Sequence, residues 1–318
     1  MTAAPRVSIG LPVYNGERYL SESLDSILKQ TFEDFELIIC DNASTDQTDV
    51  LCRAYAERDR RVRYHRNAIN LGAARNYQLA FEMSSAPYFR WATYDDLIAP
   101  ELLARCVEVL DREASVVLAY PKTRLLEEAD GLISESEYED GLHLSSPRAS
   151  ERFIELVRRL RLCNAVYGLI RASELRKTAL LGSYIGSDGP LLAELTLYGK
   201  FFEIPEYLFS RRRHPAAFSS QQDVQKLLQF YEPQTKRRTP LIAWHHLIAH
   251  LTAVNRAPLS IGEKIRLHHF LLRDAIRSRG DYWYELTTLV RRNRTAAVRR
   301  VSSPLNSPAT RLFNGEEH

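Results

Sequence analysis

Short apolar runs rich in β-branched residues alternate with longer segments of helical period over the first 120 residues. The apolar runs predict strands at Val7–Leu11, Phe35–Cys40, Val62–His65, Tyr88–Ala92 and Val116–Tyr120. The periodic segments predict helices at Glu17–Gln30, from Thr45 or Asp46 through Tyr55, at about Gly72–Ser84 and at Pro100–Asp111. This alternation is typical of a parallel sheet with helices on its faces, so we predict a Rossmann-like α/β fold.

The pattern changes after residue 120. Lys122–Pro147 is polar and carries an acidic run, which predicts a long loop that could serve as a lid. Further strands are predicted at Tyr167–Arg171 and Lys200–Ser210, and helices at Val224–Tyr231, Pro240–Val254, Ile261–Arg279 and Tyr282–Arg292. We therefore divide the chain into an α/β domain at 1–218 (halves 1–120 and 121–218), a helical region at 219–293 and a disordered tail at 294–318.

Composition and charge narrow the class of protein. With 318 residues, 45% hydrophobic and 26% charged, the chain matches globular proteins and is unlike disordered or fibrous ones. The net charge of +3 is unevenly distributed, because residues 211–318 hold 19 Lys+Arg against 8 Asp+Glu and residues 1–210 hold 24 against 32. The basic end favours a partner or acceptor at an anionic surface.

The cellular setting is predicted from what the chain lacks. Its four cysteines form no Cys-x-x-Cys pair, and neither a signal peptide nor a membrane-spanning segment is evident, which predicts a cytoplasmic protein. The basic end leaves peripheral attachment to the inner face of the membrane open. The aromatic cluster at 282–284 favours helix packing or a homodimer over an interfacial anchor, and no motif supports nucleic-acid binding.

Polar clusters follow three of the predicted strands. They are Pro12-Val13-Tyr14-Asn15-Gly16, Asp41-Asn42-Ala43-Ser44-Thr45-Asp46 and Thr93-Tyr94-Asp95-Asp96. Because ligands of an open parallel sheet bind beyond the carboxyl ends of its strands, we expect these clusters to meet at one rim. None contains a Gly-x-Gly-x-x-Gly turn or a P-loop, which argues against dinucleotide dehydrogenases and P-loop kinases.

These clusters, together with Asn70-Leu71-Gly72-Ala73-Ala74-Arg75-Asn76, occur in the order and spacing of a known enzyme family. The chain resembles the family 2 glycosyltransferases of the GT-A fold over residues 7–96, and more weakly to about Phe218. The resemblance implies an inverting transfer of a sugar from a nucleotide-sugar donor to an acceptor hydroxyl. Carbohydrate, lipid-linked and small-molecule acceptors all stay open, as does the donor sugar.

The resemblance implies a set of donor-binding residues. They are Pro12, Tyr14, Asn15, Glu17, Asp41, Arg75, Tyr94 and Asp95. A ring such as Tyr14 can lie on a pyrimidine, and the Asp41 carboxylate can accept a hydrogen bond from the imino N–H of uracil or thymine, which favours a UDP- or dTDP-sugar. The alternatives are a loop-holding role for Asp41 and a plain surface position for Arg75, which could otherwise contact phosphate or base.

A divalent cation, Mn²⁺ or Mg²⁺, is also implied. Asp95 and Asp96 resemble the end of the family's Asp-x-Asp metal motif, and His214 follows the last predicted strand, so we expect Asp95, Asp96 and His214 near the ion. Thr93 stands where many members have the first aspartate. This departure predicts a weaker metal site.

Asp188 is the predicted general base. It lies in a glycine-containing loop ahead of a helix, a placement that resembles the family's catalytic base, and the alternative is a helix N-cap. Two other functions stay open at this point. One is a non-catalytic nucleotide-sugar-binding or scaffold subunit, and the other is a sugar nucleotidyltransferase, although Pro12-Val13-Tyr14-Asn15 lacks the glycine-rich phosphate loop that such enzymes use.

Overall fold

Alternating strands and helices build the first half of the chain in the computed structural model, which describes residues 4–129, 132–215, 223–233 and 240–301. The elements are β1 (Val7–Val13), α1 (Leu20–Leu28), β2 (Phe35–Asp41), α2 (Thr48–Arg58), β3 (Val62–Arg66), α3 (Ala73–Glu82), β4 (Tyr88–Trp91), β5 (Leu97–Ile98) and α4 (Leu102–Arg112). Strands β1 and β2 are buried at every position, because helices cover both faces of this part of the sheet.

The second half alternates strands with helices as far as its last strand and is helical after it. Its elements are β6 (Val116–Ala129), β7 (Leu132–Tyr138), α5 (Ala149–Arg159), a 3₁₀ turn (Asn164–Tyr167), β8 (Leu169–Arg171), α6 (Ala172–Leu175), α7 (Asp188–Thr196), β9 (Lys200–Arg213), α8 (Val224–Tyr231), α9 (Ile242–Arg256), α10 (Ile261–Arg277) and α11 (Arg279–Val301). The last helix extends into the predicted tail, and residues 302–318 lie outside the described residues.

The strands form one mixed sheet in the order β3-β2-β1-β4-β8-β6-β9-β5, with β7 paired to β6. Strands β1 to β4 are mutually parallel, whereas β8 is antiparallel to both β4 and β6. The loops that follow β1, β2 and β4 therefore leave the same edge of the sheet. Strand β5, directly after the β4 loop, pairs antiparallel with the end of β9 and brings the carboxyl end of β9 to this edge.

The predicted long loop at Lys122–Pro147 is wrong as far as Tyr138. Strand β6 continues to Ala129 and pairs with β7 as a hairpin, from Thr123 opposite Tyr138 onward. Strand β7 is exposed along nearly its whole length, so it lacks the apolar alternation that reveals a half-buried strand.

The carboxyl-terminal helices share a core with the sheet. Ala253 and Val254 of α9 and Leu267 and Leu271 of α10 are buried in the same apolar cluster as Leu118 of β6. Burial against the sheet therefore holds these helices in place. Over the described ranges, no helix has both the length and the apolar character needed to cross a bilayer.

Candidate functional site

The loops after β1 and β2 are tied together by side chains. The Asn15 backbone N–H donates to Ser44 Oγ at 2.9 Å, and Asn15 Oδ1 accepts from the Thr45 N–H at 2.8 Å. The Glu17 carboxylate accepts from the Gln47 N–H at 2.9 Å. Asn15 has a φ of 53°, a left-handed conformation that asparagine tolerates better than most residues. This rim of the sheet is therefore held in one arrangement before any ligand binds.

Tyr14 and Tyr94 are the aromatic side chains of this rim. Tyr14 is 44% exposed, so its ring is free to stack on a flat ligand, whereas Pro12 before it is buried within β1. Burial raises the pKa of Tyr94, and the nearby carboxylates of Asp95 and Asp46 raise it further. Tyr94 belongs to the loop after β4, and its ring lies against Gly16 in the loop after β1.

Asp41 is fully buried and holds its own loop. Its Oδ1 accepts from the Ser44 N–H at 2.8 Å, and its Oδ2 accepts from the Tyr64 hydroxyl at 2.8 Å. Arg66 adds an ion-pair contact at 3.9 Å. These contacts favour the loop-holding alternative for Asp41, since no carboxylate oxygen is exposed to a nucleobase. The argument for uracil or thymine loses its support.

Arg75 is directed away from the predicted donor residues. Its guanidinium forms two hydrogen bonds with the Glu82 carboxylate, at 2.7 and 2.9 Å, along the exposed side of α3. This geometry favours the surface alternative for Arg75 over a contact to phosphate or base.

Asp95 and His214 meet at the carboxyl ends of β4 and β9. Asp95 Oδ2 lies 3.2 Å from His214 Nε2, although the two residues are 119 positions apart. His214 is 3% exposed and its ring packs on Tyr19 at a centroid distance of 4.6 Å. The β5–β9 pairing explains this meeting, because it fixes the chain before His214 beside the chain after Asp96.

Asp96 turns inward and holds the β4 loop against β9. Its Oδ2 accepts from the Thr93 hydroxyl at 2.6 Å, and its Oδ1 accepts from the Arg212 backbone N–H at 2.8 Å. Burial, followed by the neighbouring charge of Asp95, raises the pKa of Asp96 to about 7. With both oxygens engaged, Asp96 is placed to position Asp95 rather than to bind an ion. Thr93 therefore has a role of its own here, as the donor to Asp96.

Arg212 is a site residue whose role sequence reasoning missed. Its buried guanidinium donates to the Asp95 carbonyl oxygen at 3.0 Å and to Glu22 Oε2 at 2.5 Å, and it lies over the Tyr19 ring. It therefore fixes the backbone of the Asp95 turn. The run Arg211-Arg212-Arg213 was a visible motif, but nothing in it shows which arginine turns inward.

Asp95 and His214 fit a divalent cation. Two neighbouring ligand atoms of an octahedral ion lie about 3 Å apart when each is about 2.1 Å from the metal, which is close to the separation seen here. Within the described ranges no group of three His, Cys, Asp or Glu side chains could hold a metal ion, and His214 Nδ1 has no hydrogen-bond partner there. The protein could thus supply two ligands and leave positions for phosphate oxygens and water, an arrangement Mg²⁺ commonly adopts.

Asp188 begins α7 at the far side of the same edge. Its side chain accepts from the Gly189 N–H at 3.1 Å and contacts the Cys163 thiol, but it makes no capping hydrogen bond, so the N-cap alternative is not what the structure shows. Both Asp188 and Asp96 raise the pKa of Tyr167, which is otherwise raised by burial. Both carboxylates are therefore near enough to Tyr167 to act on its ionisation.

A polar cluster beside Asp188 was also missed. Arg211 Nη1 donates to Asn164 Oδ1 at 2.7 Å. Asp140 is buried nearby, and burial raises its pKa to about 7 while Asn164 and Arg211 lower it. Neither Asp140 oxygen forms a well-aligned hydrogen bond among the described residues, although the Asn164 side chain is close enough to lower the pKa. These residues come from three separate segments, so no spacing in the sequence could group them.

A family model matches the amino-terminal part of the chain. Residues 8–142 match the model described as glycosyl transferase family 2. We refer to residues 8–142, which are less than half of the chain, as the family 2 domain because of this match. The matched range contains nearly all of β1, the whole of β2 through β7, and the loops after β1, β2 and β4, whereas Asp188 and His214 lie beyond it.

Curated relatives of the chain are named as glycosyltransferases. An uncharacterized glycosyltransferase of Rickettsia typhi is 32% identical over 111 residues, which are 35% of this chain and 34% of the relative. An uncharacterized glycosyltransferase of Haemophilus influenzae is 25% identical over 226 residues, 69% of each chain. The first match therefore spans about a third of its relative, while the second reaches well beyond the family 2 domain.

Solved structures confirm the predicted GT-A fold. S. aureus TarS 1–349 in complex with UDP aligns with a TM-score of 0.59 at 16% identity, covering 86% of this chain and 72% of TarS. A mannosyltransferase from Pyrobaculum calidifontis, in complex with GDP-Man and Mn²⁺, aligns with a TM-score of 0.51 at 16% identity, covering 95% and 82%. The shared architecture thus extends past the family 2 domain into the carboxyl-terminal half.

Proposed function

We propose that this chain is an inverting glycosyltransferase, which moves a sugar from a nucleotide diphosphate donor to an acceptor hydroxyl. The observation that carries the proposal is the meeting of Asp95 and His214 at 3.2 Å, at the carboxyl ends of two strands, in a chain whose residues 8–142 match family 2. The loops after β1 and β2, which Asn15 and Glu17 tie together, would form the floor of the donor site.

In this proposal Tyr14 stacks on the nucleobase and Tyr94 borders the diphosphate. UDP and dTDP remain the first donors to test, but with Asp41 buried the identity of the base rests on no contact described here. TarS was solved with UDP and the Pyrobaculum enzyme with GDP-Man. A panel of UDP, dTDP and GDP therefore precedes any test with a sugar donor.

Asp95 and His214 would hold Mn²⁺ or Mg²⁺ against the donor diphosphate. When bound, such an ion neutralises negative charge on the departing diphosphate. Arg212 keeps the Asp95 turn in place through its hydrogen bond to the Asp95 carbonyl, and Asp96 ties the same turn to β9. The protein's own contribution at this end is thus a rigid pair of ligands.

Asp188 would act as the general base. Its carboxylate takes the proton of the acceptor hydroxyl as that oxygen forms a bond to the anomeric carbon, and the bond from that carbon to the diphosphate oxygen breaks. The diphosphate leaves with the electron pair on the face opposite the attack, which inverts the anomeric configuration. No covalent sugar–protein species forms, so one carboxylate within hydrogen-bond reach is sufficient.

Donor hydrolysis is the first test, because water can replace an unidentified acceptor. Wild-type chain is incubated with UDP-, dTDP- and GDP-sugars and Mn²⁺, and release of the nucleoside diphosphate is measured with and without bacterial lipid or glycan extracts as acceptors. The proposal expects release from one donor class, stimulated by an acceptor. Binding without release from any donor would instead support the non-catalytic alternative, and pyrophosphate release from sugar phosphate with nucleoside triphosphate would support a nucleotidyltransferase.

A further inference from the structure

Helix α10 exposes an apolar stripe that His268 divides into two pairs of residues. Ile261, Ile265, Leu272 and Ile276 are between 55% and 78% exposed, and their spacing places them along one side of the helix. Leu267 and Leu271 are buried in the core on a different side. The stripe is therefore not the core-facing side of α10, and a row of four large aliphatic side chains in water is a feature that marks interaction surfaces.

A basic groove runs beside this apolar stripe, between α5 and α10. It has a volume of about 210 Å³ and is lined by Ile154, Arg158, Arg266, His269, Phe270, Arg273, Asp274 and Arg277. Four guanidinium groups and one imidazole thus face a single carboxylate. The groove is suited to anionic groups, since arginine pairs well with phosphate oxygens.

The charge of the basic groove is largely uncompensated. Among the ion pairs of residues 4–129, 132–215, 223–233 and 240–301, none includes Arg158, Arg273 or Arg277. Arg266 lies 3.5 Å from Glu151, and Arg158 lies over the Phe270 ring at 5.4 Å. Three guanidinium groups are therefore available to a partner.

Exposed aromatic side chains also lie at the start of α11, the helix that follows α10. Trp283 is 66% exposed and Tyr284 is 73% exposed. Tryptophan and tyrosine favour the boundary between water and hydrocarbon, where the ring is in an apolar setting and the polar atom is hydrated. This part of the protein thus combines an apolar stripe, a basic groove and an aromatic pair. Helices that lie at a membrane interface have the same composition.

We propose that α10 and the start of α11 dock this protein on an anionic phospholipid bilayer. The apolar stripe enters the boundary between headgroups and acyl chains, and the arginines of the basic groove bind lipid phosphates. A second copy of the chain is the main rival occupant. Charge argues against it, because a two-fold dimer through this face would place the same uncompensated arginines of both copies near each other. This proposal does not depend on the transferase activity.

Vesicle flotation of the full chain tests the proposal. The chain is mixed with phosphatidylcholine vesicles that contain or lack phosphatidylglycerol, and the floated fraction is measured at low and high salt. We expect binding to the anionic vesicles at least tenfold stronger than to the neutral ones, and weaker binding at high salt because exposed charges are screened. Equal binding to both vesicles, or binding to neither, would overturn the proposal.

Two double variants separate the apolar and the basic contributions. Leu272→Glu with Ile276→Glu should reduce anionic-vesicle binding at least tenfold, and Arg273→Glu with Arg277→Glu should do the same. Val50→Glu, on an equally exposed apolar residue of α2, and Arg58→Glu with Arg60→Glu serve as matched controls that should keep wild-type binding. Circular dichroism and thermal unfolding confirm that each variant is folded.

Light scattering after size exclusion tests the rival occupant. The proposal expects the wild type and the Leu272→Glu, Ile276→Glu variant to show the same mass. A wild-type dimer that this variant converts to monomer would assign the apolar stripe to a second copy and overturn membrane docking. Full vesicle binding by either folded double variant would also overturn it.

Discussion

The two sides of the site differ in how their polar groups are satisfied. On the donor side, formed by the loops after β1, β2 and β4 and the end of β9, Asp41, Asp96 and Arg212 all have partners within the protein. On the acceptor side, around Asp188, neither oxygen of Asp140 has a hydrogen-bond partner in the described part of the chain. The donor side is therefore built in advance for a ligand of fixed shape, while the proposed acceptor side holds a buried carboxylate whose hydrogen-bonding capacity the described residues leave unmet.

Asp188→Asn is expected to have the largest effect and to separate the two sides. If Asp188 is the base, turnover falls on the order of 10²–10⁴-fold while donor affinity stays nearly unchanged, because the change leaves the donor side intact. Steady-state turnover and calorimetric donor binding are measured on the same preparation. Full activity in the variant would remove Asp188 from the mechanism and with it the acceptor side as drawn here.

Arg212→Ala should show how far the donor side depends on its own contacts. The change removes the side chain that pairs with Glu22 and donates to the Asp95 carbonyl oxygen. The turn beside the His214 ring, which is 3% exposed, then loses the contact that orders it. Breaking a buried ion pair typically costs about 3–5 kcal/mol, although the exposed Glu22 places the expected loss at the lower end. Urea unfolding measures the loss in free energy of unfolding. Arg213→Ala, which breaks an exposed pair with Glu127, is the control and is expected to lose less than about 1 kcal/mol of that free energy.

Asp140→Asn should stabilise the protein above neutral pH. The folded-state pKa of Asp140 is raised to about 7, so the folded chain keeps its proton while the unfolded chain loses it near pH 4. The wild type therefore loses stability as pH rises from about 4 to about 7, and the variant should not show this part of the loss. The free energy of unfolding is measured by separate denaturant titrations at pH 4.5 and at pH 8. Glu139→Gln, at a neighbouring exposed carboxylate, is the control. A wild-type loss that persists fully in Asp140→Asn would show that other groups cause it.

Arg75→Ala should change least. Its side chain pairs with Glu82 on the exposed side of α3, and surface ion pairs contribute about 0–1 kcal/mol. We expect donor affinity within about twofold of the wild type, since 1 kcal/mol or less at a distant position leaves binding nearly unaltered. A tenfold loss of affinity would return Arg75 to the donor side, as the family resemblance implies.

The buried part of the fold could be predicted from the sequence, and the exposed strands could not. Strands β1 and β2 are covered on both faces, so they occur as unbroken apolar runs, and the predicted bounds of Phe35–Cys40 differ from the observed strand by one residue. Strand β7 is held by backbone pairing with β6 and its side chains are exposed. Nothing in its residue types distinguishes it from a loop.

The candidate site shows the same division. Asp95 and His214 lie 3.2 Å apart because both follow strands at one edge of the sheet, while their predicted role as metal ligands stays a prediction. Which carboxylates turn inward could not be predicted, since Asp41 and Asp96 differ from Asp95 only in the partners that the fold brings to them. Asp140, Asn164 and Arg211 meet through long-range strand order, which no local motif encodes.

Isothermal titration of a nucleoside diphosphate, with Mn²⁺ and then with EDTA, tests the shared cation site of Asp95 and His214 most directly. The ligand is whichever of UDP, dTDP and GDP raises the melting temperature most in the presence of Mn²⁺. The account predicts tight binding by the wild type only with Mn²⁺, and loss of that dependence in Asp95→Ala and in His214→Ala, each checked for folding. Equal affinity with and without Mn²⁺ in the wild type, or an unchanged Mn²⁺ dependence in both folded variants, would contradict it.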